Sequence, residues 1–280
     1  MILITDAGST KTDWSFCEGE HVIRNVRTQG INPCNMSRDP IMQILTGELL
    51  FECGDIRPAD VNAIYYYGAG CATQSICEDM KAMLQICFPK ASIWVESDML
   101  GAARALCGHK EGIACILGTG SNSCLYDGNV IVDQTPSLGY ILGDEGSSTA
   151  LGRHLLSDCL KRQLPEQLTR EFMERYHLTK DIIIENVYRQ PMANRYMAGF
   201  APFLYEKREI AQIHKLLVSC FREFIQRNVM NYHRAWLPIN FVGSLAVSFS
   251  AELSEAAESL GMSVGTILRN PMEGLIAYHN

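Results

Sequence analysis

The chain of 280 residues lacks the patterns that mark several large classes of protein. It contains no run of about 18 apolar residues and no charged-then-apolar leader, so neither a membrane span nor a signal peptide is predicted. It also lacks a basic stripe, and its formal net charge of −7 argues against a nucleic-acid partner. Since neither C-x-x-C nor H-x-x-x-H spacing occurs, we expect no zinc site built from protein side chains.

The cysteines are numerous, but they do not form a disulfide framework. There are 11 of them, an odd number, scattered along the chain and placed mostly inside apolar runs. This distribution predicts reduced, buried thiols and a cytoplasmic protein. With 47% hydrophobic and 20% charged residues the chain can build a large core, and its length allows two domains.

The segment DAGSTKT, which follows a short apolar run at the start of the chain, is the most informative motif. Gly8 permits backbone N–H groups to approach an anion closely, and Ser9 and Thr10 add hydroxyl groups. Lys11 adds a positive charge, and Asp6, at the end of the predicted strand, is suited to holding a hydrated Mg²⁺. These parts favour a polyphosphate and metal site, although a tight β-hairpin with a Gly-Ser turn explains the same residues.

A second segment repeats this design. In IACILGTGSNSCLYDG (113–128) an apolar strand meets a Gly-Thr-Gly-Ser loop, and another strand and an Asp-Gly turn follow. A third junction of a strand with a glycine occurs in FVGS (241–244). Two similar hairpins predict a duplicated domain, and a nucleotide held between two similar lobes would need such a set of loops.

The hydrophobic patterns predict hairpin strands followed by alternating strands and helices, which is typical of an α/β fold. Because the order restarts at Gly112, we expect an N-terminal lobe over 1–108 and a C-terminal lobe over 109–270, with 271–280 packing back on the first lobe. Beyond the first hairpin, strands are expected at 21–27, 61–67, 91–95, 113–134, 241–242 and 264–268. Helices are expected at 39–54, 76–88 and 98–106, from 148 to about 164, over most of 166–236, and at 250–260 and 271–278.

Asp98 lies where a predicted strand meets a predicted helix. A carboxylate in that place can act as a general base that accepts a proton from a substrate hydroxyl. It can equally be the N-cap of the helix, a role that stabilises by about 1 kcal/mol. Both roles are compatible if the neighbouring Ser97 is the cap.

The sequence GYILGDEGSS (139–148) places two carboxylates on a glycine-rich turn before a predicted helix. Carboxylates on such a turn suit hydrogen bonding to sugar hydroxyls. A helix start capped by Ser147 or Ser148, with acidic residues near it, explains the same sequence. Asn32 and Asn122 also have two possible roles, in ligand binding or in the local turn, because a loop asparagine is most often a turn former.

Eight motifs in this order resemble those of the N-acetylglucosamine kinases of the eukaryotic type. They also resemble the wider family of BadF/BadG/BcrA/BcrD-type ATPases, within the actin, heat-shock chaperone and hexokinase superfamily. The motifs span most of the chain and no single one decides; they are DAGSTKT, QGINP, ESDMLGAARAL, LGTGSNS, GYILGDEGSS, MAGFAP, FVGSLA and PMEGL. The resemblance implies a duplicated ribonuclease H-like fold, as in actin-like ATPases, with two lobes around a nucleotide cleft.

The resemblance also implies roles for individual residues. Asp6 would hold Mg²⁺ through water, and Asp98 would be the base for the sugar's 6-hydroxyl. The residues implied to bind ATP and its phosphates are Gly8, Ser9, Thr10, Lys11, Thr119, Gly120, Ala198, Gly199, Gly243 and Ser244. The residues implied to bind the sugar are Asn32, Ser121, Asn122, Gly139 and Asp144. Leu138 stands where vertebrate enzymes carry an aromatic residue beside the sugar, so the identity of the hexosamine is left open.

The resemblance therefore implies an ATP- and Mg²⁺-dependent kinase that phosphorylates the 6-hydroxyl of N-acetylglucosamine or a related hexosamine. We expect no nucleic-acid or membrane partner, and a homodimer is left open. Two alternatives remain: an ATPase activator of a CoA-dehydratase-type redox system, and a non-catalytic sugar or nucleotide sensor. The Asp-Ile-Gly-Gly-Gln-Asp element of those activators is missing. The cysteine-rich zinc motif of ROK-type sugar kinases is also missing, and its absence excludes the ROK branch.

Overall fold

The computed structural model describes all 280 residues, Met1–Asn280, and the chain divides into two units. Unit 1 consists of Met1–Glu111, Tyr126–Ile131 and Asn270–Asn280, and unit 2 consists of Gly112–Leu125 and Val132–Arg269. These bounds differ from the expected 1–108 and 109–270, because residues 109–111, Tyr126–Ile131 and Asn270 belong to unit 1.

The first sheet lies in unit 1 and has five strands: β1 Ile2–Ala7, β2 Lys11–Glu18, β3 His21–Gln29, β4 Ala63–Gly68 and β5 Ser92–Ser97. Their order across the sheet is β3-β2-β1-β4-β5. The strand β2 is antiparallel to β1 and β3, whereas β1, β4 and β5 run parallel to one another. The apolar β1 is buried along most of its length, as a central strand with both faces covered should be.

The second sheet also has five strands: β6 Gly112–Leu117, β7 Ser121–Tyr126, β8 Ile131–Asp133, β9 Ile239–Val242 and β10 Val264–Leu268. Their order is β10-β9-β6-β7-β8, with β6, β9 and β10 parallel. All four residues of β9 are buried, which agrees with the short apolar run at 241–242 that predicted it.

The two sheets have the same strand order when they are read from opposite edges. The strands β1 to β5 then correspond one by one to β6 to β10. In each sheet the first strand of a hairpin pairs with a parallel strand that helices connect to it, which is the arrangement of an α/β fold. The predicted duplicated, two-lobed α/β fold is confirmed.

The helices of unit 1 cover the first sheet: α1 Arg38–Gln43, a π-helix Ile44–Leu49, α2 Leu50–Glu52, α3 Gln74–Cys87 and α4 Asp98–Cys107. A short 3₁₀ turn, Pro58–Asp60, precedes β4. The helix predicted at 39–54 is thus a continuous helical stretch with a π segment in its middle. Helix α3 buries Met80, Met83, Leu84 and Cys87, the spacing expected of one helix face.

Unit 2 is predominantly helical after the second hairpin, as predicted. Its helices are α5 Gly139–Leu142, α6 Ser148–Leu160, α7 Glu166–Arg175, α8 Lys180–Tyr188, α9 Ala193–Ala198, α10 Ala201–Glu206, α11 Ala211–Phe224, a π-helix Ile225–Val229, a 3₁₀ turn Met230–Tyr232, α12 Ser244–Ser248 and α13 Ser250–Glu258. Their core is rich in phenylalanine, and α11 contributes Phe221 and Phe224 to it.

The prediction that α6 reaches Leu164 is wrong, because the helix ends at Leu160. Arg162 adopts a left-handed conformation with φ 58°, and the Gln163 N–H donates to the Asp158 carbonyl over 2.8 Å. The Arg162 N–H donates to the carbonyl of Cys159 over 3.3 Å, which completes a Schellman ending. Leu164 is buried in the core from the loop that follows.

None of the 11 cysteines forms a disulfide, and most of them are buried, as the sequence predicts. No helix combines the length and the apolar character that a membrane crossing would require.

The last helix, α14 Met272–His279, belongs to unit 1 and packs on α4 and β1. The His279 ring stacks on Tyr65 with 3.6 Å between centroids, and its Nε2 lies 2.7 Å from Tyr67 Oη. The Tyr67 oxygen in turn accepts a hydrogen bond from Arg104 over 2.9 Å. Burial, aided by the charges of Arg104 and His109, lowers the pKa of His279 from 6.5 to about 4, so the ring is neutral at pH 7.

We expect the contribution of His279 to the free energy of unfolding to fall as the pH is lowered from about 6.5 to about 4, because only the unfolded chain takes up a proton at His279 in this range. The variant His279→Gln keeps an acceptor near the position of the ring nitrogen but does not titrate. It should therefore lose less stability than wild type across this pH range. Urea unfolding at several pH values measures the difference, with the exposed His21→Gln as the control. Identical pH slopes in wild type and His279→Gln would contradict this interpretation.

Candidate functional site

The ends of three parallel strands meet at one edge of the first sheet. Ala7 of β1 pairs with Gly68 of β4, and Gly68 pairs with Ser97 of β5. Asp6 therefore lies just before the end of β1, and Asp98 follows the end of β5 directly. The edge of the sheet where parallel strands end is the usual place for a ligand in an α/β fold.

Asp98 is the first residue of α4 but not its cap. The Ser97 side chain accepts a hydrogen bond from the Leu100 N–H over 3.2 Å, so Ser97 is the N-cap, as the sequence allowed. Burial raises the pKa of the Asp98 carboxyl, and hydrogen bonds from nearby backbone N–H groups oppose the rise. The carboxylate is thus not needed as a helix cap, and its raised pKa makes it a better proton acceptor than an exposed aspartate.

Asp6 carries the most perturbed carboxyl group of this edge. Burial raises its pKa from 3.8 to about 7, and the neighbouring carboxylates of Asp13 and Asp98 add to the rise. The positive charge of Lys11 opposes this rise but does not cancel it. A buried carboxylate that lacks sufficient compensating positive charge is a natural place for a cation.

Lys11, which was expected to face a phosphate, instead forms an ion pair on β2. Its Nζ lies 2.6 Å from Asp13 Oδ2, and Arg27 Nε lies 2.6 Å from Asp13 Oδ1. Burial alone would raise the pKa of Asp13, but its bonds with these two cations lower it overall. Sequence reasoning missed Asp13, because its place directly opposite Asp6 depends on the register of the hairpin.

Asn32 joins the loops at this edge. Its Nδ2 donates to Ser9 Oγ over 2.8 Å, and its Oδ1 accepts the Cys34 N–H over 3.1 Å. The Cys34 thiol donates to the Gly70 carbonyl over 3.1 Å, which brings in the loop after β4. The predicted sugar residue Asn32 and the predicted phosphate loop are therefore in contact in unit 1.

The second hairpin loop, Gly118 to Gly120, is held by the start of α6. The N–H groups of Ser148 and Thr149 donate to the carbonyls of Gly118 and Thr119 over 2.9 and 3.3 Å. The Thr149 hydroxyl lies 2.6 Å from the Thr119 carbonyl oxygen as well. With its carbonyls engaged in this way, the loop can direct N–H groups to an anion.

Asp144 contacts the same loop from the glycine-rich turn. Its Oδ1 accepts the Ser121 N–H over 3.1 Å, and a Cβ atom at position 120 would stand 3.0 Å from both carboxylate oxygens. Asp144 has a left-handed backbone with φ 55°, and the cap of α6 is Ser147, whose side chain accepts the Ala150 N–H. The interpretation of Ser147 as the helix cap is thus confirmed, and Asp144 itself is not a cap.

Two further predicted nucleotide segments lie in unit 2. Gly243 follows β9 and approaches the end of β6 so closely that a Cβ atom would stand 2.0 Å from the Leu117 carbonyl oxygen, and Ser244 begins α12. Ala198 and Gly199 are at the end of α9. The start of α9 is near the hairpin loop, since the Thr149 hydroxyl lies 3.1 Å from the carbonyl oxygen of Asn194.

The remaining predicted sugar residues are on β7 and α5. Asn122 Oδ1 accepts the Ser123 N–H over 2.9 Å and lies 3.1 Å from Gln134 Nε2, so this amide also orients its hairpin. Gly139 begins α5, and its carbonyl accepts the Gly143 N–H over 2.8 Å. Unit 2 thus brings Ser121, Gly120 and Asp144 into contact, with Asn122 adjacent in the chain.

Comparison with known proteins gives a full-length relative. No protein-family model matches the chain, and no curated protein matches it either. A crystal structure of a "Putative N-acetylglucosamine Kinase" from Porphyromonas gingivalis is 46% identical, with a TM-score of 0.95, covering 100% of this chain and 98% of that one. This chain belongs to the N-acetylglucosamine kinase-like family.

Two solved structures with lower sequence identity share the fold. A second protein of that name, from Chromobacterium violaceum, is 16% identical with a TM-score of 0.76, covering 100% of this chain and 99% of that one. A ROK family glucokinase from Streptomyces griseus, in complex with glucose and AMPPNP, is 13% identical with a TM-score of 0.58, covering 99% and 97%. At these identities the likeness concerns the two-unit α/β fold alone.

The raised pKa of Asp6 leads to a prediction for stability. Because the folded chain holds a proton at Asp6 that the unfolded chain releases, the contribution of Asp6 to the free energy of unfolding should fall as the pH rises from about 4 to about 7 in metal-free buffer. Asp6→Asn removes this cost, so its free energy of unfolding should exceed that of wild type increasingly up to about pH 7. Urea unfolding in EDTA measures the difference.

The variant Asp13→Asn is the control for Asp6→Asn. Asp13→Asn loses the ion pairs with Lys11 and Arg27, so it should be less stable than wild type at pH 7. If Asp6→Asn were destabilised to the same extent as Asp13→Asn, the buried charge of Asp6 would not be the cause we assign.

Proposed function

We propose that this protein is an ATP-dependent amino-sugar kinase that phosphorylates the 6-hydroxyl of N-acetylglucosamine or a related hexosamine. The observation that carries the proposal is the full-length relative described above, which is named a "Putative N-acetylglucosamine Kinase" and is 46% identical. The carboxylates and loops at the strand ends supply the groups that phosphoryl transfer needs. No observation favours the ATPase-activator or the sensor alternative over this one.

The proposed nucleotide contacts are backbone N–H groups and hydroxyls of the glycine-rich loops. These are Gly8, Ser9, Thr10, Thr119 and Gly120, and the carbonyls of Gly118 and Thr119 are already bonded to α6. Lys11 would contact a phosphate after leaving its ion pair with Asp13. Gly243 and Ser244 would contact the adenosine, and Ala198 and Gly199 would line the adenine pocket.

The residues also fit a magnesium ion bound together with the nucleotide. No group of three or more His, Cys, Asp or Glu side chains is arranged to hold a metal alone. Mg²⁺ commonly uses one or two carboxylates, waters and substrate phosphates, and Asp6 with its raised pKa offers such a carboxylate. When bound, the ion would neutralise phosphate charge during transfer.

Asp98 is the proposed general base. It would accept the proton of the sugar's 6-hydroxyl while the oxygen forms its bond to the γ-phosphorus and the bond from that phosphorus to ADP breaks. The proposed sugar contacts are Asn32, Ser121, Asn122, Gly139 and Asp144. We also propose a cytoplasmic location, supported by the 11 cysteines, none of which forms a disulfide.

A coupled ADP-release assay over N-acetylglucosamine, N-acetylmannosamine, glucosamine and glucose tests the proposal. We expect sugar-dependent ADP release, greatest with an N-acetylated hexosamine, and loss of it when EDTA removes Mg²⁺. Asp98→Asn should lower kcat by about 10²- to 10⁴-fold, the usual contribution of a general base. Because Ser97 is the helix cap, the thermal midpoint of this variant should change little.

Glu96→Gln is the matched control, because it neutralises a carboxylate on β5 two residues earlier. Its turnover should resemble that of wild type. Wild-type turnover in Asp98→Asn would exclude Asp98 as the base, whereas absence of ADP release with every sugar would overturn the kinase proposal itself.

Asp144→Asn separates sugar binding from a structural role. Asparagine tolerates the left-handed backbone and keeps an acceptor for the Ser121 N–H, so the thermal midpoint should stay near that of wild type. Loss of the charge should raise the sugar KM about 10-fold or more while the Kd for ATP changes little. An equal loss of affinity for both ligands, with a lower thermal midpoint, would show that Asp144 is structural.

A further inference from the structure

Glu145, which follows Asp144, is a buried carboxylate with partners from a distant part of the chain. Its side chain is 9% exposed, and Arg227 Nε lies 2.7 Å from its Oε1. Asn228 Nδ2 lies 3.3 Å from its Oε2. A carboxylate buried to this extent requires such partners, since without them its desolvation is uncompensated.

Both partners come from the π-helix Ile225–Val229. Such segments are rare and interrupt the regular helix by changing the direction in which side chains leave the backbone. The Asn228 amide also donates to the Phe224 carbonyl over 3.1 Å, and the Asn228 carbonyl accepts the Thr135 hydroxyl over 2.9 Å. The segment is therefore fixed on both sides while it presents Arg227 and Asn228 to one carboxylate.

Glu145 connects the π-helix to two of the proposed sugar residues, Ser121 and Asp144. The Ser121 hydroxyl donates to the Glu145 carbonyl over 2.7 Å, while the Ser121 N–H donates to Asp144 Oδ1 over 3.1 Å. Ser121 is thus bonded to two successive residues of the turn. Asp144 adopts a left-handed backbone, which is uncommon for aspartate and persists only when surrounding contacts hold it.

We propose that Arg227 and Asn228 are positioning residues for the sugar site, acting through Glu145 on the conformation of Asp144 and Ser121. Neither residue was singled out from the sequence, and neither needs to contact the sugar. The inference rests on the proposed function for its substrate. The hydrogen bonds and the ion pair that carry it belong to unit 2 alone.

The kinetic test compares Arg227→Leu with Arg227→Lys and Glu223→Gln. Arg227→Leu leaves Glu145 without its cation, so the turn should relax and the sugar KM should rise about 10- to 100-fold. The KM for ATP should change by less than about 2-fold, since the loop carbonyls remain bonded to α6. Arg227→Lys restores the positive charge and should recover most of the sugar affinity.

Glu223→Gln is the matched control. Arg227 Nη1 also lies 3.9 Å from Glu223 Oε1, and this variant removes that pair while leaving the Glu145 pair intact. Its kinetic constants should equal those of wild type. Should Arg227→Leu fail to fold, Glu145→Gln replaces it, because that variant removes the charge and keeps the length of the side chain.

Amide hydrogen exchange at Ser121 provides a readout that does not depend on activity. Its N–H is bonded to Asp144, so exchange should be faster in Arg227→Leu or Glu145→Gln and unchanged in Glu223→Gln. Unchanged exchange at Ser121, or equal rises in the KM for sugar and for ATP, would overturn the inference. If wild type phosphorylates no sugar, the proposed function fails, while the exchange measurement still decides whether Arg227 positions this turn.

Discussion

The parallel pairing of β1 with β4 and of β4 with β5 is the constraint on which the chemistry of unit 1 depends. It brings three strand ends to one edge, and the residues that leave those ends share a small region. Asp98 consequently lies close enough to Asp6 to interact with it, and burial, aided by the charges of Asp98 and of Asp13 on β2, raises the pKa of Asp6 to about 7. Backbone hydrogen bonding within the sheet thus concentrates negative charge at this edge, without direct contact of the side chains. A cation and a substrate hydroxyl are proposed to bind there.

Much of this arrangement was predictable from local sequence. The glycine-rich loops after apolar runs indicated both hairpins, and their similarity indicated the duplication that the strand orders display. Ser97 as the cap of α4 was predictable too, because capping depends on residues adjacent in the chain. The end of α6 was not predictable, since Leu164 continues the apolar pattern of the helix but lies in the following loop, with its side chain buried in the core.

The contacts that join distant residues could not be read from the sequence. Lys11 is two residues from Asp13, yet its preference for that carboxylate depends on the hairpin register and on Arg27. Glu145 and Arg227 are far apart in the chain, and nothing local to either predicts their ion pair. Motifs therefore indicated which residue types form the candidate site, whereas the register and the tertiary contacts determine how they are held.

The position of α14 has a consequence for how the protein is made. Residues 270–280 pack in unit 1, although the ribosome adds them only after every residue of unit 2. A nascent chain that has emerged up to Arg269 would expose the apolar surface that Leu275 covers, which includes Ile4, Cys17 and Tyr67. Domains usually fold as they emerge, N-terminal first. Here the first unit cannot be completed until the second has been synthesised, so a stalled or prematurely terminated chain would present that surface to chaperones and proteases.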